Sequence, residues 1–198
     1  MKVASLGLAT STRRLAAVKY DLSGWDCMAV TGGLGVDSLT RSGKFDNVTS
    51  VERNRVTADT DRVNFARLGA SNSKVCKATA EDFLVEFAAR GLKADLVYVD
   101  PDRRSQDGKK QVRLEDCSPN VLALLPLLKK TTRRIAIKAS PMFDVGEAFR
   151  LFGPHCRVDV ISIANECKEV VIELSEDINV PMIRATAVGK GAAEYPYT

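Results

Sequence analysis

The stretch from Asp26 to Asp37, DCMAVTGGLGVD, limits what this chain can fold into more than any other. Its apolar run Cys27-Met28-Ala29-Val30 breaks into Thr31-Gly32-Gly33-Leu34-Gly35, the pattern of a buried strand that ends in a glycine-rich turn and opens a helix. Such a turn suits a nucleotide-like ligand. Glycine allows positive φ and close approach of the backbone, and free amides at a helix start attract polar or anionic groups. Twenty residues after Gly32, the run Val48-Thr49-Ser50-Val51 ends in Glu52. A carboxylate closing the second strand is where an α/β nucleotide site grips ribose hydroxyls. Two glycines in a βα turn often serve structure alone, so it is Glu52, at this spacing, that favours a ligand.

The chain has 198 residues, enough for one well-packed domain and short for two. No apolar run approaches the roughly 20 residues that cross a bilayer, which excludes a membrane helix. The opening MKVASLGLATSTRR has a short apolar part with no A-x-A cleavage pattern, so a cytoplasmic location is expected. Five scattered cysteines, none in a C-x-x-C pair, argue against a disulfide framework and against a zinc site, and no metal is expected. The single histidine, His155, sits in Gly153-Pro154-His155, a loop signal rather than a catalytic one. A net charge of +4 permits nucleic acid as a partner without demanding it.

Taken in order, the chain alternates strand and helix patterns. Ser11 to Tyr20 reads as a short helix in an N-terminal lead-in, residues 1–24. The main domain, residues 25–176, follows. After the glycine turn come a short helix from Asp37 to about Ser42, a strand at 47–51, a helix from Asn54 to Leu68 stopped by Gly69, and a strand from Lys74 to Thr79. A helix from Ala80 to Arg90 precedes the strand Ala94 to Val99, which runs into Asp100-Pro101-Asp102-Arg103-Arg104. Ser118 is read as the N-cap of the next helix, with Pro119 at its first position and Pro126 as a kink or early end. Strand Arg134 to Ile137, helix Val145 to Phe152, and the runs Arg157 to Ile163 and Glu169 to Leu174 complete the domain. The link 164–168 is short enough for antiparallel pairing. In the tail, 177–198, Met182 to Val188 reads as an edge strand and GKGAAEYPYT as a loop or linker. The fold class is therefore α/β, a mostly parallel sheet closed by one antiparallel hairpin.

In open α/β sheets ligands sit outside the carboxyl ends of the strands. That rule gathers Gly33 and Gly35 after strand one, Glu52 at the end of strand two, Asp100 to Arg104 after strand four, Lys138 to Pro141 after strand five and Asn165 to Lys168 after strand six. With its glycine turn, acidic ribose contact and D-P-x-x loop, the chain resembles a class I S-adenosylmethionine-dependent methyltransferase. More narrowly, TGGLGVDS, DPDRRS, DCSPN, KASPMFD and NECKE resemble a bacterial family of methyltransferase-like proteins that usually carry a C-terminal THUMP-like domain. The resemblance implies a Rossmann-like sandwich with a seven-stranded sheet, order 3-2-1-4-5-7-6 and one antiparallel strand, and S-adenosyl-L-methionine as cofactor. It implies an RNA substrate only by analogy.

It also assigns residues. Thr31, Gly32, Gly33, Gly35, Asp37, Glu52, Arg53, Thr79, Ala80 and Asp100 would hold the cofactor. Asp100 and the Pro101 carbonyl would accept hydrogen bonds from a substrate amine, and Arg103, Arg104, Lys138, Ser140 and Asn165 would contact substrate, Lys138 through a phosphate; the plain alternative for Lys138 is the exposed end of strand five. Arg103 and Arg104 stand where related enzymes place a stacking aromatic; the plain alternative is a solvated loop with salt bridges to Asp102 or Glu115. The sequence departs from the family pattern where an acidic residue ends strand one, here Ala29. The acidic-Ala pair after strand three reads Thr79-Ala80, with Glu81 and Asp82 displaced. The chain stops at Thr198, where such relatives continue into the extra domain, the pattern of a fragment or a minimal form.

Two other functions fit parts of the pattern. Gly33-Leu34-Gly35-Val36-Asp37-Ser38 nearly matches the G-x-G-x-x-G of a nicotinamide-dependent oxidoreductase. A non-catalytic module that keeps the fold and binds RNA or a protein would explain Ala29 and Thr79.

Overall fold

The computed structural model describes residues 24–33, 35–104, 108 and 111–198. The lead-in helix expected at 11–20 lies outside them. Among the described residues nine strands and five α-helices follow in the order β1 (Gly24–Ala29), α1 (Val36–Ser42), β2 (Phe45–Glu52), α2 (Arg55–Arg67), β3 (Ser73–Lys77), α3 (Ala80–Ala89), β4 (Leu96–Val99), α4 (Val121–Thr131), β5 (Arg134–Ala139), α5 (Val145–Phe152), β6 (Cys156–Ile163), β7 (Glu166–Ser175), β8 (Met182–Ala187) and β9 (Gly191–Pro196). The strands form one sheet in the order β3-β2-β1-β4-β5-β7-β6-β8-β9. Pairing is parallel from β3 to β5, because a helix returns the chain to the same edge between each pair of strands. β7 runs antiparallel to both β5 and β6.

Alternate residues of the central strands feed two cores, as a period of two requires. On one face Met28, Val97, Val99, Ile135, Ile137 and Ile172 pack with Leu84 of α3, Leu124 and Leu128 of α4 and Phe149 of α5. On the other Cys27, Ala29, Val48, Leu96, Tyr98, Ala136 and Val171 come together. Each fully buried Val, Leu or Ile side chain contributes about 1.5–3 kcal/mol, so the central strands hold their register firmly. Among the described residues no helix is long and apolar enough to cross a membrane. All five cysteines are free.

The order 3-2-1-4-5-7-6 is present, but the sheet has nine strands rather than seven. β8 is not an edge, since it pairs with β6 on one side and β9 on the other. The segment read as a loop or linker, GKGAAEYPYT, supplies β9, and so a second antiparallel hairpin. All six β9 residues are exposed. The strand is held by backbone pairing to β8 and needs no apolar alternation.

Two helix expectations also change. Ser118 is not a cap: it exchanges backbone hydrogen bonds with Asp102 in both directions, at 2.8 and 2.9 Å. Asn120 caps α4 instead, its side chain accepting the Ala123 amide at 2.9 Å. Nor does Pro126 end α4, which runs on to Thr131. Val121, Leu124 and Leu128 anchor the helix before and after the proline, and Pro126 faces solvent, where the carbonyl it leaves without a partner can be hydrated. The β6–β7 turn is shorter than expected. Only Ala164 and Asn165 lie between the strands, with φ of 50° and 66°, the left-handed pair of a two-residue hairpin.

Candidate active site

A cavity of about 770 Å³ opens at the carboxyl ends of β1 to β5, where the topology places a ligand site. Its wall from β1 and β2 is built around Glu52. One carboxyl oxygen accepts the Gly33 amide at 2.9 Å and the other accepts the Asn54 amide at 2.7 Å. The side chain is thereby fixed with lone pairs still available to ligand hydroxyls. Gly33 has φ of 57°, and a Cβ added there would meet nothing within 4 Å. A ligand can therefore approach its backbone closely. Asn54 also caps α2, accepting the Val56 and Thr57 amides. On the next wall Thr79 caps α3 by accepting the Asp82 amide at 3.1 Å, which brings Thr79, Ala80 and Glu81 to the cavity.

The β4 wall carries Asp100 and Pro101. The Asp100 amide donates to Thr31 Oγ1 at 2.7 Å, tying the loop after β4 to the glycine turn. One Asp100 carboxyl oxygen lies 2.7 Å from Lys138 Nζ. Lys138 also stands 3.7 Å from Asp37 and 3.5 Å from Glu169. Burial works to lower its pKa, but Asp100, Asp37 and Glu169 outweigh burial and hold it above the usual lysine value. With only 14% of its side chain exposed, Lys138 is not the free end of a strand. The three carboxylates around its ammonium disfavour an anion there. Lys138 fixes Asp100 instead.

Arg103 and Arg104 both line the cavity. Neither guanidinium pairs with a carboxylate among the described residues. Asp102 accepts the Arg104 amide at 3.1 Å, and Glu115 pairs with Arg113, so the salt bridges of the plain alternative do not form. Arg53 donates to Ser118 Oγ at 3.0 Å and joins the end of β2 to the segment that leads into α4.

The structure thus brings Thr31, Gly33, Glu52, Arg53, Thr79, Ala80, Asp100, Pro101, Arg103, Arg104, Lys138 and Ser140 to one cavity. Four expected residues are elsewhere. Gly32 donates its amide to the Val51 carbonyl at 2.7 Å, and a Cβ there would lie 2.4 Å from Ser50 Oγ, so this glycine packs β1 against β2. Gly35 faces α2, where an added Cβ would sit 2.9 Å from both Asp61 Oδ1 and Phe65 Cε1. Asp37 accepts from the Tyr98 hydroxyl at 3.2 Å and belongs to the charge cluster around Lys138. Asn165 is at the tip of the β6–β7 hairpin and accepts from Lys190 at 3.3 Å. Asn54, Thr57, Glu81, Gln111, Pro119 and Met142 line the cavity without having been anticipated. Asn54 was detectable from the sequence, as a capping residue two places after Glu52.

Behind the glycine turn, Asp61 is fully buried and neither carboxyl oxygen is hydrogen-bonded to a described residue. Burial, and then the charge of Glu52, lift its pKa from 3.8 to about 7. A folded value above the unfolded one means that the native state binds the proton more tightly. The contribution of Asp61 is therefore most favourable below about pH 4 and is lost as the pH rises to about 7. Asp61→Asn should remove that loss and stabilise the protein at pH 8 by about 1–3 kcal/mol. In thermal unfolding the gap in Tm between variant and wild type should widen from pH 4 to pH 8. A constant gap would mean that Asp61 does not titrate in this interval.

The strand order and a cavity at the carboxyl ends of β1 to β5 define a Rossmann-like class I methyltransferase fold. A family model described as Conserved hypothetical protein 95 matches residues 18–119, just over half of the chain, and the chain belongs to that family. It is 25% identical over 131 residues to an uncharacterized RNA methyltransferase of Enterococcus faecalis, covering 65% of this chain and 29% of the relative. It is 34% identical over 90 residues to ribosomal RNA small subunit methyltransferase D of Escherichia coli K12, covering 46% of this chain and 43% of the relative. The chain thus spans less than half the length of these curated relatives. A crystal structure of a candidate methyltransferase from Porphyromonas gingivalis W83 superposes with a TM-score of 0.74 at 23% identity, over 97% of this chain and 49% of the other.

Proposed function

We propose that the protein is an S-adenosylmethionine-dependent methyltransferase that acts on RNA, at a base. The observation that carries this reading is the pairing of two differently equipped walls in one cavity. The Gly33–Glu52 wall offers a fixed carboxylate beside an open backbone, suited to a ribose. The Asp100–Arg104 wall offers acceptors and two guanidinium groups without a carboxylate partner among the described residues, suited to a nucleic acid. The names of the curated relatives support RNA as the substrate class.

The residues present fit the cofactor. Glu52 would accept the ribose hydroxyls, Gly33 would let the ligand lie against the backbone, and Thr79, Ala80 and Glu81 would border the base. S-adenosyl-L-methionine supplies a methyl group on a positively charged sulfur. Bound there, it would offer that methyl group to a nucleophile of the substrate. Little acid–base machinery is needed, so the chain's task is to position the reactants. Asp100, locked by Lys138 and by its amide bond to Thr31, would accept a hydrogen bond from an exocyclic amine, with the Pro101 carbonyl as a second acceptor.

A nicotinamide cofactor is disfavoured, because Gly35, the second glycine of the near-match, faces α2 rather than the cavity. The same proposal takes residues 25–176 as the cofactor-binding unit, with 177–198 extending its sheet. It includes kinship with the THUMP-like family, on the motifs quoted above, and a place in the bacterial cytoplasm, which five free thiols suit. Calorimetric titration with S-adenosylhomocysteine and with NAD, followed by transfer of labelled methyl groups to total bacterial RNA, tests it. Binding of S-adenosylhomocysteine and labelled RNA are expected. Binding of NAD alone would make the protein an oxidoreductase, and binding of neither a non-catalytic module.

The arginines give a separate expectation. Arg103→Ala with Arg104→Ala should weaken RNA binding and flatten its dependence on salt by about 1.4 in log–log slope, for two contacts to single-stranded phosphates. A filter-binding salt series measures this. A wild-type slope in the double variant would return both side chains to a solvated loop.

A further inference from the structure

Met142 is 79% exposed, yet it does not sit on a loose loop. Ser140 holds the turn that presents it: Ser140 Oγ accepts the Met142 amide at 3.2 Å, and the Ser140 carbonyl accepts the Phe143 amide at 2.9 Å. Ala139, Ser140 and Phe143 are buried on either side, and Asp144 caps α5 immediately afterwards. A turn fixed at both ends thus holds a long thioether side chain at the cavity, beside Pro141.

One exposed apolar residue is ordinary; its position here is not. None of the described residues lining the cavity is aromatic, so a nucleobase entering it meets no ring on which to stack. Enzymes that act on a base draw it out of its stack and hold it between aromatic or apolar side chains. Methionine suits that task, because its polarizable sulfur makes favourable contacts with aromatic rings. β4 and β5 are neighbours in the sheet, so the loop carrying Met142 adjoins the one carrying Asp100, Arg103 and Arg104.

We infer that Pro141 and Met142 form the apolar platform on which a target nucleobase of single-stranded RNA lies, next to Asp100. The inference rests on the RNA reading above and adds to it the surface that replaces the missing aromatic. Arginine at the same mouth serves the phosphates, and the platform serves the base.

The test compares binding of a short mixed-sequence single-stranded RNA with that of an abasic ribose-phosphate strand of equal length, both in the presence of S-adenosylhomocysteine. Wild type should prefer the strand with bases. Met142→Ala should lose roughly three- to ten-fold in affinity for that strand and nothing for the abasic one. Met142→Leu should retain most of the preference, and S-adenosylhomocysteine should bind all three proteins alike. Wild-type RNA affinity in Met142→Ala overturns the platform, as does a wild type that binds both strands equally, although that second result leaves the RNA reading standing. A wild type that binds S-adenosylhomocysteine but neither strand overturns the RNA reading and the platform with it.

Discussion

Lys138→Met is expected to destabilise the protein by about 3–5 kcal/mol and to lower Tm by on the order of 10 °C. The lysine side chain is mostly buried, and its ammonium lies within 4 Å of carboxylates from α1, the end of β4 and β7. Methionine fills the same volume, so the loss measures charge rather than packing. Without the cation, Asp37, Asp100 and Glu169 repel one another, and the folded variant takes up protons more readily than its unfolded chain. The variant should therefore regain stability as the pH falls from 7 towards 5. Urea unfolding at several pH values checks both the size and the direction. A loss below 1 kcal/mol, or one that does not change with pH, would show that another cation neutralises the cluster.

Glu52→Ala should weaken S-adenosylhomocysteine binding by about 1–3 kcal/mol, roughly five- to 150-fold. The substitution removes the acceptor for the ribose hydroxyls, and it also frees the amides of Gly33 and Asn54, which Glu52 now holds at 2.9 and 2.7 Å. The glycine turn and the start of α2 both lose an anchor. Glu52→Gln offers one oxygen where the carboxylate offers two, so it should fall between wild type and alanine. Calorimetric titration of the three proteins, each shown to be folded by circular dichroism, gives the comparison. Equal affinities would place the ligand away from Glu52.

Local chemistry made the Gly33–Glu52 wall of the cavity legible from the sequence. Val30 ends an apolar run, glycines follow it, and Glu52 closes the next strand; a parallel sheet then leaves those features one place to meet. Long-range partners were not legible. Asp37, Asp100 and Glu169 come from three distant segments, and nothing near Lys138 in the chain shows that they converge on it. Asn165 lies on the expected rim, but its two-residue turn keeps it at a hairpin tip with Lys190. Pro126 does not end its helix because it lies on the face that meets solvent, and the residues around it in the chain do not show which face that is. β9 escaped notice for a related reason: a strand exposed along its whole length carries no apolar signature, and Gly191 and Pro196 mark its two ends as they would mark a loop.

The sheet is built from contacts of very different reach. The β6–β7 pair is joined through Ala164 and Asn165 alone, so closing it surrenders little chain entropy. The bond from the Asp100 amide to Thr31 spans 69 residues. By the logarithmic cost of closing a loop, that difference amounts to about 3 kcal/mol. None of the described cavity residues comes from β6 to β9; all belong to the part of the fold assembled over long separations. A ligand that touches Gly33, Glu52 and Asp100 together therefore acts as a reversible crosslink between distant segments, and spends its binding energy where chain entropy opposes the fold most.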